Sequence, residues 1–263
     1  MTLSDTTDEN IECFRIATQT ATYYYDKTGA GFTSIVDADS NDWIGWREGG
    51  GSAGEYRGIP NMGLNKFGHP GYTGAVSTSP DARNETLDKV TIHSAKGDWS
   101  TTWEFYENHA KMTVHSVAED YWFLYEGTPG GEYEDADIWY TSAGDSGICS
   151  ESFTGDITNT SGAAERAEWI CFADASLNRA LFMIHTEVPE NNDAIVDHYR
   201  PMQGNMTVFG FGRNSSGTTR QMSHTPAVLI IGLVEQKEYA DVKQHIDSIY
   251  QDSGTSCLMR SID

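Results

Sequence analysis

A glycine-rich stretch in the first third of the chain concentrates hydrogen-bonding and titratable side chains. It reads "GEYRGIPNMGLNKFGHPGYTG", spans residues 54–74, and includes Arg57, Asn61, His69 and Tyr72. His69 stands between a glycine and a proline, where we expect an extended backbone that displays the ring. Arg57 offers a planar fork that suits a carboxylate or a sulfate. Because functional residues concentrate in loops on a rigid scaffold, we expect these four side chains to form one wall of a cleft. The alternative is an ordered surface loop whose polar groups satisfy one another.

A second candidate is the stretch "DHYRPMQGNMTVFGFGR", residues 197–213. His198 and Tyr199 belong to a run of four titratable side chains, and Arg213 ends the strand predicted after them. If that strand alternates regularly, Arg213 shares a face with the strand's phenylalanines, an arrangement suited to gripping a sugar acid. The alternative is a turn or helix cap followed by a solvated arginine.

Two further positions have side chains suited to catalysis. His185 lies inside the apolar stretch "LFMIHTEV", where it is either a buried structural residue or a base near Glu187. Glu126 closes the predicted strand "YWFLYEG" and is a candidate general acid or metal ligand. No metal-binding or cofactor motif is present, so neither is predicted. The acidic run from Glu132 to Asp137 leaves calcium as an option, with a solvated charge run as the alternative.

The composition argues against several classes of partner. The 263 residues include 39 acidic and 17 basic side chains, for a formal charge of -22. A field of that sign disfavours nucleic acids and anionic membranes, and no apolar run is long enough to cross a membrane. The four cysteines favour two disulfides, Cys13–Cys257 and Cys149–Cys171, and a secreted or periplasmic location. Four buried thiols are the alternative, and the number of subunits is not indicated.

The elements that must position these side chains are mostly strands. Polar and apolar residues alternate in segments such as "KVTIHSAKGDWSTTWEF", between turns rich in Gly, Asp and Asn. Residues 127–166 are acidic and glycine-rich, and we expect little regular structure there. The segment "EYADVKQHIDSIYQDSG" has apolar residues at helical spacing and predicts one C-terminal helix. Since strands and helices do not alternate, we expect a single all-β domain over residues 1–263, a large antiparallel β-sandwich of the supersandwich or jelly-roll type.

Two stretches resemble a known family. "GFTSIVDADSNDWIGW" is similar to the opening hairpins of galactose-mutarotase-like proteins, although Asn41 stands where glycine is usual. "YWFLYEGTPGG" falls where those proteins place a strand that leads into the substrate cleft. The resemblance covers about the first half of the chain and implies a β-supersandwich fold and a carbohydrate substrate. The same fold supplies domains of polysaccharide lyases and of some glycoside hydrolases.

Together these features predict a polysaccharide lyase that cleaves an anionic, uronic-acid-containing polysaccharide by β-elimination. The candidates for proton transfer are His69, Tyr72, His185 and Tyr199. The candidates for substrate binding are Arg57, Asn61, Glu126, His198 and Arg213. Three alternatives remain: a glycoside hydrolase, a non-catalytic carbohydrate-binding module and an aldose-epimerase-like enzyme. The hydrolase would use two carboxylates from among Glu55, Glu126, Glu187 and Asp197.

Overall fold

The computed structural model describes residues 1–46, 58–64, 67–155, 157, 168–186, 193–196, 206–214 and 218–252. Over these ranges the strands form two nine-stranded antiparallel sheets, and an α-helix follows the last strand. The predicted antiparallel β-sandwich with a C-terminal helix is therefore confirmed. No helix in the described ranges is long and apolar enough to cross a membrane.

Each sheet combines strands from distant parts of the chain. In spatial order, with numbers that follow the chain, the first sheet contains β1 (Thr2–Asp8), β2 (Ile11–Ala17), β3 (Thr22–Asp26), β4 (Phe32–Val36), β5 (Gly58–Asn61), β10 (Phe123–Gly127), β17 (Thr207–Phe211), β16 (Asp193–Val196) and β13 (Phe153–Gly155). The second sheet contains β12 (Ser146–Ile148), β11 (Ile138–Thr141), β14 (Glu168–Ala173), β15 (Ala180–His185), β18 (Ala227–Val234), β9 (Ala110–Ser116), β8 (Trp99–Phe105), β7 (Val90–Lys96) and β6 (Val76–Thr78). The helix α1 spans Tyr239–Asp252.

An aromatic core fills the space between the two sheets. Regular alternation along β8 buries Trp99, Trp103 and Phe105 in this core. From the first sheet, Phe32 contacts Trp103 edge-on, with ring centroids 4.9 Å apart, and Tyr23 contacts Phe105 in the same way at 5.3 Å. Such pairs contribute about 0.5–1.5 kcal/mol beyond the burial of their area. Many of the aromatic residues in the sequence therefore pack the two sheets against each other.

The C-terminal helix covers the outer face of part of the second sheet. Val242, Ile246 and Ile249 lie on one side of α1, as their spacing of four and three residues requires. They pack with Phe182 and Ile230 in a hydrophobic cluster separate from the core between the sheets. The predicted helix is thus confirmed, and its amphipathic pattern is explained by this contact.

Several strands lie where the sequence predicted loops. β5 falls inside the glycine-rich stretch, and its Ile59 is fully buried. β11, β12 and β13 lie within residues 127–166. These strands have only three or four residues, which is too short for an alternating pattern to be visible in the sequence. They form because longer neighbours supply the hydrogen-bonding partners.

The predicted disulfide between Cys149 and Cys171 is wrong. Cys149 belongs to the core between the sheets, whereas Cys171 packs in the cluster beneath α1. The two side chains therefore lie on opposite faces of the second sheet. Cys13 is a buried thiol whose sulfur lies 3.8 Å from the hydroxyl of Thr33, and Cys257 lies outside the described residues. Burial raises the pKa of both Cys13 and Cys149 to about 12, which keeps these thiols protonated and unreactive.

Arg179 links the two sheets through a buried ion pair. Its Nη1 lies 2.6 Å from Oδ2 of Asp37, just after β4, while Nε and Nη2 donate to both carboxylate oxygens of Glu235, just after β18, at 3.0 and 2.6 Å. Arg179 and Asp37 are almost fully buried. Burial raises the pKa of Asp37, but hydrogen bonds from Asn41, Trp43 and Arg179 outweigh it and leave the pKa below its usual value.

We expect Arg179→Met to lower the free energy of unfolding by about 3 kcal/mol, because it leaves the Asp37 carboxylate buried without its cation. Since the pKa of Asp37 is depressed in the folded state, this stabilisation is present above the unfolded pKa of about 4 and is lost as the pH falls below it. The difference between the two proteins in urea unfolding should therefore shrink in acid. Arg83→Met is the control, because its partner Asp5 is 55% exposed; it should cost less than about 1 kcal/mol. Equal losses in both variants would contradict this role of Arg179.

Asp137, from the acidic run in the sequence, is buried rather than solvated. Its carboxylate accepts hydrogen bonds from the backbone of Glu134 and of Ala175, at 2.9 and 3.2 Å. Burial, with the repulsion of Asp174 and Glu134, raises its pKa to about 7 despite those hydrogen bonds. These two hydrogen bonds hold Asp137, the residue just before β11, against Glu134 and Ala175. Its surroundings also favour the protonated form of its carboxyl group.

The pKa of Asp137 is higher in the folded protein than in the unfolded chain. Between these two values the folded protein keeps a proton that the unfolded chain has lost. The contribution of Asp137 to stability should therefore fall as the pH rises from about 4 to about 7 and stay constant above that range. Asp137→Asn cannot ionise, so we expect its stability relative to wild type to improve steadily between these pH values. Urea unfolding at several pH values measures this difference. Above about pH 7 the difference should stay constant; a trend that continues beyond that pH would rule out Asp137 as its source.

Candidate active site

The candidate site lies on the outer face of the first sheet, around β10. Phe123 and Tyr125 of this strand point into the core between the sheets, where the Tyr125 ring contacts Phe172 at 5.3 Å. Alternation along the strand turns Leu124 and Glu126 to the opposite face. The same strand therefore supports the core on one side and presents a carboxylate on the other.

Glu126 is held by Asn61 and faces His69. Asn61 Nδ2 donates to Glu126 Oε2 at 2.9 Å, and Asn61 Oδ1 accepts from the backbone N–H of Gly63 at 2.9 Å, which fixes the orientation of the amide. His69 Nε2 lies 3.6 Å from the same carboxylate oxygen. Glu126 is 5% exposed and His69 is 1% exposed. The structure thus joins three of the predicted site residues in one almost buried cluster.

The surroundings of His69 determine which ring nitrogen exchanges a proton. His69 Nδ1 lies 2.6 Å from the carbonyl oxygen of Pro70, and a carbonyl only accepts, so Nδ1 must carry a hydrogen. The nitrogen that can gain and lose a proton is therefore Nε2, which faces Glu126. Within the described part of the chain Nε2 makes no hydrogen bond. An imidazole and a carboxylate in this arrangement can pass a proton between themselves or to a bound molecule.

The turn between β3 and β4 holds the loop that carries His69. The backbone N–H of His69 donates to the carbonyl of Gly29 at 3.1 Å, and that of Gly71 donates to Oδ2 of Asp26 at 2.8 Å. The carbonyl of Thr28 accepts from the backbone N–H of Ala75 at 2.8 Å. These contacts fix the loop at His69 and at two points that follow it in the chain.

Pro70 is clamped between two glycines. A Cβ atom on Gly31 would lie 2.6 Å from Cδ of Pro70, and a Cβ atom on Gly58 would lie 2.5 Å from its Cγ. No side chain fits at either position without moving the proline. Gly58 of the stretch and Gly31 of the neighbouring turn are therefore needed for close packing beside His69.

Tyr72 lies on the open side of the cluster. Its ring centroid is 5.1 Å from that of His69, at an interplanar angle of 43°, and the side chain is 36% exposed. Tyr72 thus meets solvent, in a position to line the approach to His69.

A cationic and aromatic group continues the same face of the sheet. The guanidinium of Arg213 lies 5.5 Å from the ring centroid of Trp122, which alternation places on the side of Leu124 and Glu126. Arg220, opposite Arg213 in a β-bridge, donates through Nη1 to the carbonyl of Gly63 at 2.6 Å. The glycine-rich stretch and the segment around Arg213 therefore meet on one face of the sheet.

Arg213 reaches this face by a route that the sequence did not predict. We expected it to share a strand face with Phe209 and Phe211, but both phenylalanines lie in the core between the sheets. β17 ends at Phe211, and Gly212 has a positive φ of 67°, which turns the chain so that Arg213 points to the other face. Its aromatic neighbour is consequently Trp122. Arg220 was not singled out, because a lone arginine in a polar segment gives no sequence signal.

His185 lies apart from the group of His69 and Glu126, so its predicted role in proton transfer is not part of this site. Its Nδ1 is 2.8 Å from Oε1 of Glu168 on the neighbouring strand, and both side chains are fully buried. Its ring lies 5.7 Å from that of Phe211 in the core. A base enclosed between the sheets cannot act on a molecule bound at the outer face of the first sheet. The partner expected for it, Glu187, lies outside the described residues.

Three further predicted site residues also lie outside the described ranges. These are Arg57, His198 and Tyr199, and their roles stay predictions. The same holds for Glu55 and Asp197, which were named as carboxylates for a hydrolase.

Comparison with known proteins identifies the fold. No protein-family model matches the chain, and no curated protein sequence matches it. The crystal structure of HI1317 matches with a TM-score of 0.56 and 12% identity, over 88% of this chain and 96% of that one. The α-N-acetylgalactosaminidase NagBb from Bifidobacterium bifidum matches with a TM-score of 0.53 and 12% identity, over 91% of this chain and 38% of that one. YeaD from Salmonella typhimurium, a candidate mutarotase, matches with a TM-score of 0.47 and 9% identity, over 89% of this chain and 94% of that one.

The chain therefore shares its fold with HI1317 and with the matching part of NagBb, and this fold is the two-sheet antiparallel β-sandwich that was predicted. Identities of 12% show the fold alone, so the reaction has to be argued from the site itself.

The geometry predicts an observable state of His69. In a long-range ¹H–¹⁵N correlation spectrum of the histidine rings, we expect His69 to carry a hydrogen on Nδ1 whether or not Nε2 also holds a proton. Gly58→Ala should disturb this signal, because the new methyl group displaces Pro70, and should cost about 1–3 kcal/mol of stability. Gly97→Ala is the control: it has open space but a positive φ, so it should cost about 1–2 kcal/mol and leave the His69 signal unchanged. A His69 hydrogen on Nε2 alone, unaffected by Gly58→Ala, would refute the assignment.

Proposed function

We propose that this chain is an aldose-epimerase-like enzyme, which interconverts the anomers of a sugar by acid–base catalysis at His69 and Glu126. The observation that carries the proposal is the 3.6 Å separation of His69 Nε2 and Glu126 Oε2. An acid and a base this close can act on two oxygen atoms bonded to the same carbon atom. Anomer exchange requires that arrangement, because the hydroxyl and the ring oxygen are both bonded to the anomeric carbon.

The reaction opens and recloses the sugar ring. Glu126 takes the proton of the anomeric hydroxyl, and His69 Nε2 gives its proton to the ring oxygen as the bond between that oxygen and the anomeric carbon breaks. The open-chain aldehyde then turns about the bond between its first two carbons. The two groups, with their protonation reversed, close the ring on the other face. No proton is gained or lost overall, so the pair returns to its starting state.

The contact made by Asn61 favours this reaction over the polysaccharide lyase predicted from the sequence. In β-elimination at a uronic acid, such an amide would neutralise the carboxylate of the substrate. Here Asn61 Nδ2 donates to Glu126 at 2.9 Å, so it orients the carboxylate of the enzyme. A glycoside hydrolase would need a second carboxylate beside Glu126, and its predicted candidates Glu55, Glu187 and Asp197 lie outside the described residues.

The proposed substrate is a sugar that carries a negative charge. Arg213 and Arg220 bring two guanidinium groups to the face that carries Glu126, and guanidinium binds carboxylate or phosphate with matching geometry. Trp122 lies on the same strand face as Glu126. The anomeric carbon would contact both His69 Nε2 and the Glu126 carboxylate, with the charged group of the sugar directed toward the side of Trp122 and the arginines.

Exchange between the anomers of free sugars, followed by NMR saturation transfer, tests the proposal. The panel compares neutral aldoses with uronic acids and sugar phosphates, and we expect acceleration for at least one charged sugar. Glu126→Gln and His69→Gln should each slow the exchange by about 10²–10⁴-fold, because each removes a proton-transfer group and keeps its size. Glu132→Gln and His93→Gln change exposed side chains outside the site and should keep the wild-type rate.

The rival functions give different signals in the same sugars and in a panel of polysaccharides. A lyase would produce ultraviolet absorbance from an unsaturated uronide, a hydrolase would produce reducing ends without it, and a binding module would retain a polysaccharide without turnover. Any of these results without accelerated anomer exchange, or full exchange activity in both glutamine variants of the site, would overturn the proposal.

A further inference from the structure

A second group of hydrogen-bonded side chains lies on the outer face of the second sheet. His93 on β7 and His115 on β9 both contact the hydroxyl of Thr102, which lies on β8 between them. His93 Nδ1 is 3.0 Å and His115 Nε2 is 2.7 Å from Thr102 Oγ1. Both histidines are exposed. Two imidazole nitrogens from different strands therefore converge on one point at the surface.

A β-bulge brings His115 to this point. The register pairs Thr101 with Val114 and Ser100 with Ser116, so His115 is an extra residue on β9. A bulge bends its strand and redirects side chains, and bulges often occur next to functional sites. As a result His115 and Ser116 both point outward, and Ser116 bonds to Ser100 at 2.8 Å. Simple alternation predicts that Ser116 points inward with Val114, and the bulge corrects that prediction.

The neighbouring carboxylate is already paired with lysines, so the two imidazole nitrogens are the main metal ligands available here. Glu104, two residues along β8 from Thr102, is held at 2.6 Å by both Lys89 and Lys111. In the described ranges no group of three or more His, Cys, Asp or Glu side chains is arranged to hold a metal. The formal charge of -22 attracts cations to the surface as a whole. Any ion bound here would complete its coordination with water.

We propose that His93 and His115 form a surface site for one divalent transition-metal ion, separate from the pair of His69 and Glu126. Imidazole nitrogen is a preferred ligand of Zn²⁺, Ni²⁺ and Cu²⁺, with Zn–N bonds of about 2.0–2.1 Å. Each ring would turn from the hydroxyl of Thr102 toward the ion, a movement that the exposure of both side chains permits. Thr102 acts as the spacer that keeps the two rings close to each other before an ion binds.

Titration of the full chain in chelator-treated buffer, with Zn²⁺ and Ni²⁺ by calorimetry and with Cu²⁺ by EPR, tests the site. We expect one ion per chain and an EPR spectrum that shows two nitrogen ligands. His93→Ala and His115→Ala should each weaken binding by at least about tenfold. Thr102→Val should still bind, since the hydroxyl is not a ligand. His109→Ala, in the turn between β8 and β9 with its ring stacked on Tyr106, is the matched control and should bind as wild type.

The site would be disproved by unchanged affinity in both His93→Ala and His115→Ala, or by a Cu²⁺ spectrum without two nitrogen ligands. Loss of binding in Thr102→Val would also contradict it, because the hydroxyl would then be a ligand. The outcome does not depend on the proposed epimerase activity, since none of these residues belongs to that site.

Discussion

The carboxylate of Asp26 is the interaction on which the candidate active site depends. Its Oδ1 accepts from the backbone and hydroxyl of Thr28, and its Oδ2 accepts from the backbone N–H of Gly71, at 2.8 to 3.1 Å. One buried side chain thereby joins the turn after β3 to the loop that carries His69. That loop is rich in glycine, and Met62, Leu64 and Ala75 anchor it in the core between the sheets. The polar contacts fix the part of the loop around His69 and Gly71, and they are stronger for being buried.

The position of Glu126 depends on a different constraint, the two-sided use of β10. Tyr125 is fixed in the core, where its hydroxyl donates to the carbonyl of Trp43 at 2.6 Å. Because consecutive side chains of a strand point to opposite faces, fixing Tyr125 also fixes the direction of Glu126. His69 belongs to a loop and Glu126 to a strand, yet both are held against the same sheet. The 3.6 Å between them is thus set by packing and by the loop contacts together.

The sequence was sufficient to predict the parts of this arrangement that are encoded locally. Strand alternation, the helical spacing of α1, and the grouping of Asn61, His69 and Tyr72 within one short stretch are all visible in the chain. The pairing of His69 with Glu126 is not, because it depends on the register between β5 and β10, which lie far apart in sequence. The predicted direction of the Arg213 side chain was wrong for a similar reason. A single glycine at the end of a strand can turn the next side chain to the opposite face of the sheet. An alternating sequence pattern cannot show where the strand ends.

The structure also explains why the fold alone does not define the reaction. The core that determines the fold lies between the sheets, and the groups capable of chemistry lie on the outer face of one of them. Changes on that face can leave the core intact, so one scaffold can carry different reactions. Asn61 illustrates the point, because the same amide can hold a carboxylate of the enzyme or neutralise one on a substrate. Its hydrogen bond to Glu126 shows the first of these two contacts, and it helps to orient the carboxylate toward His69.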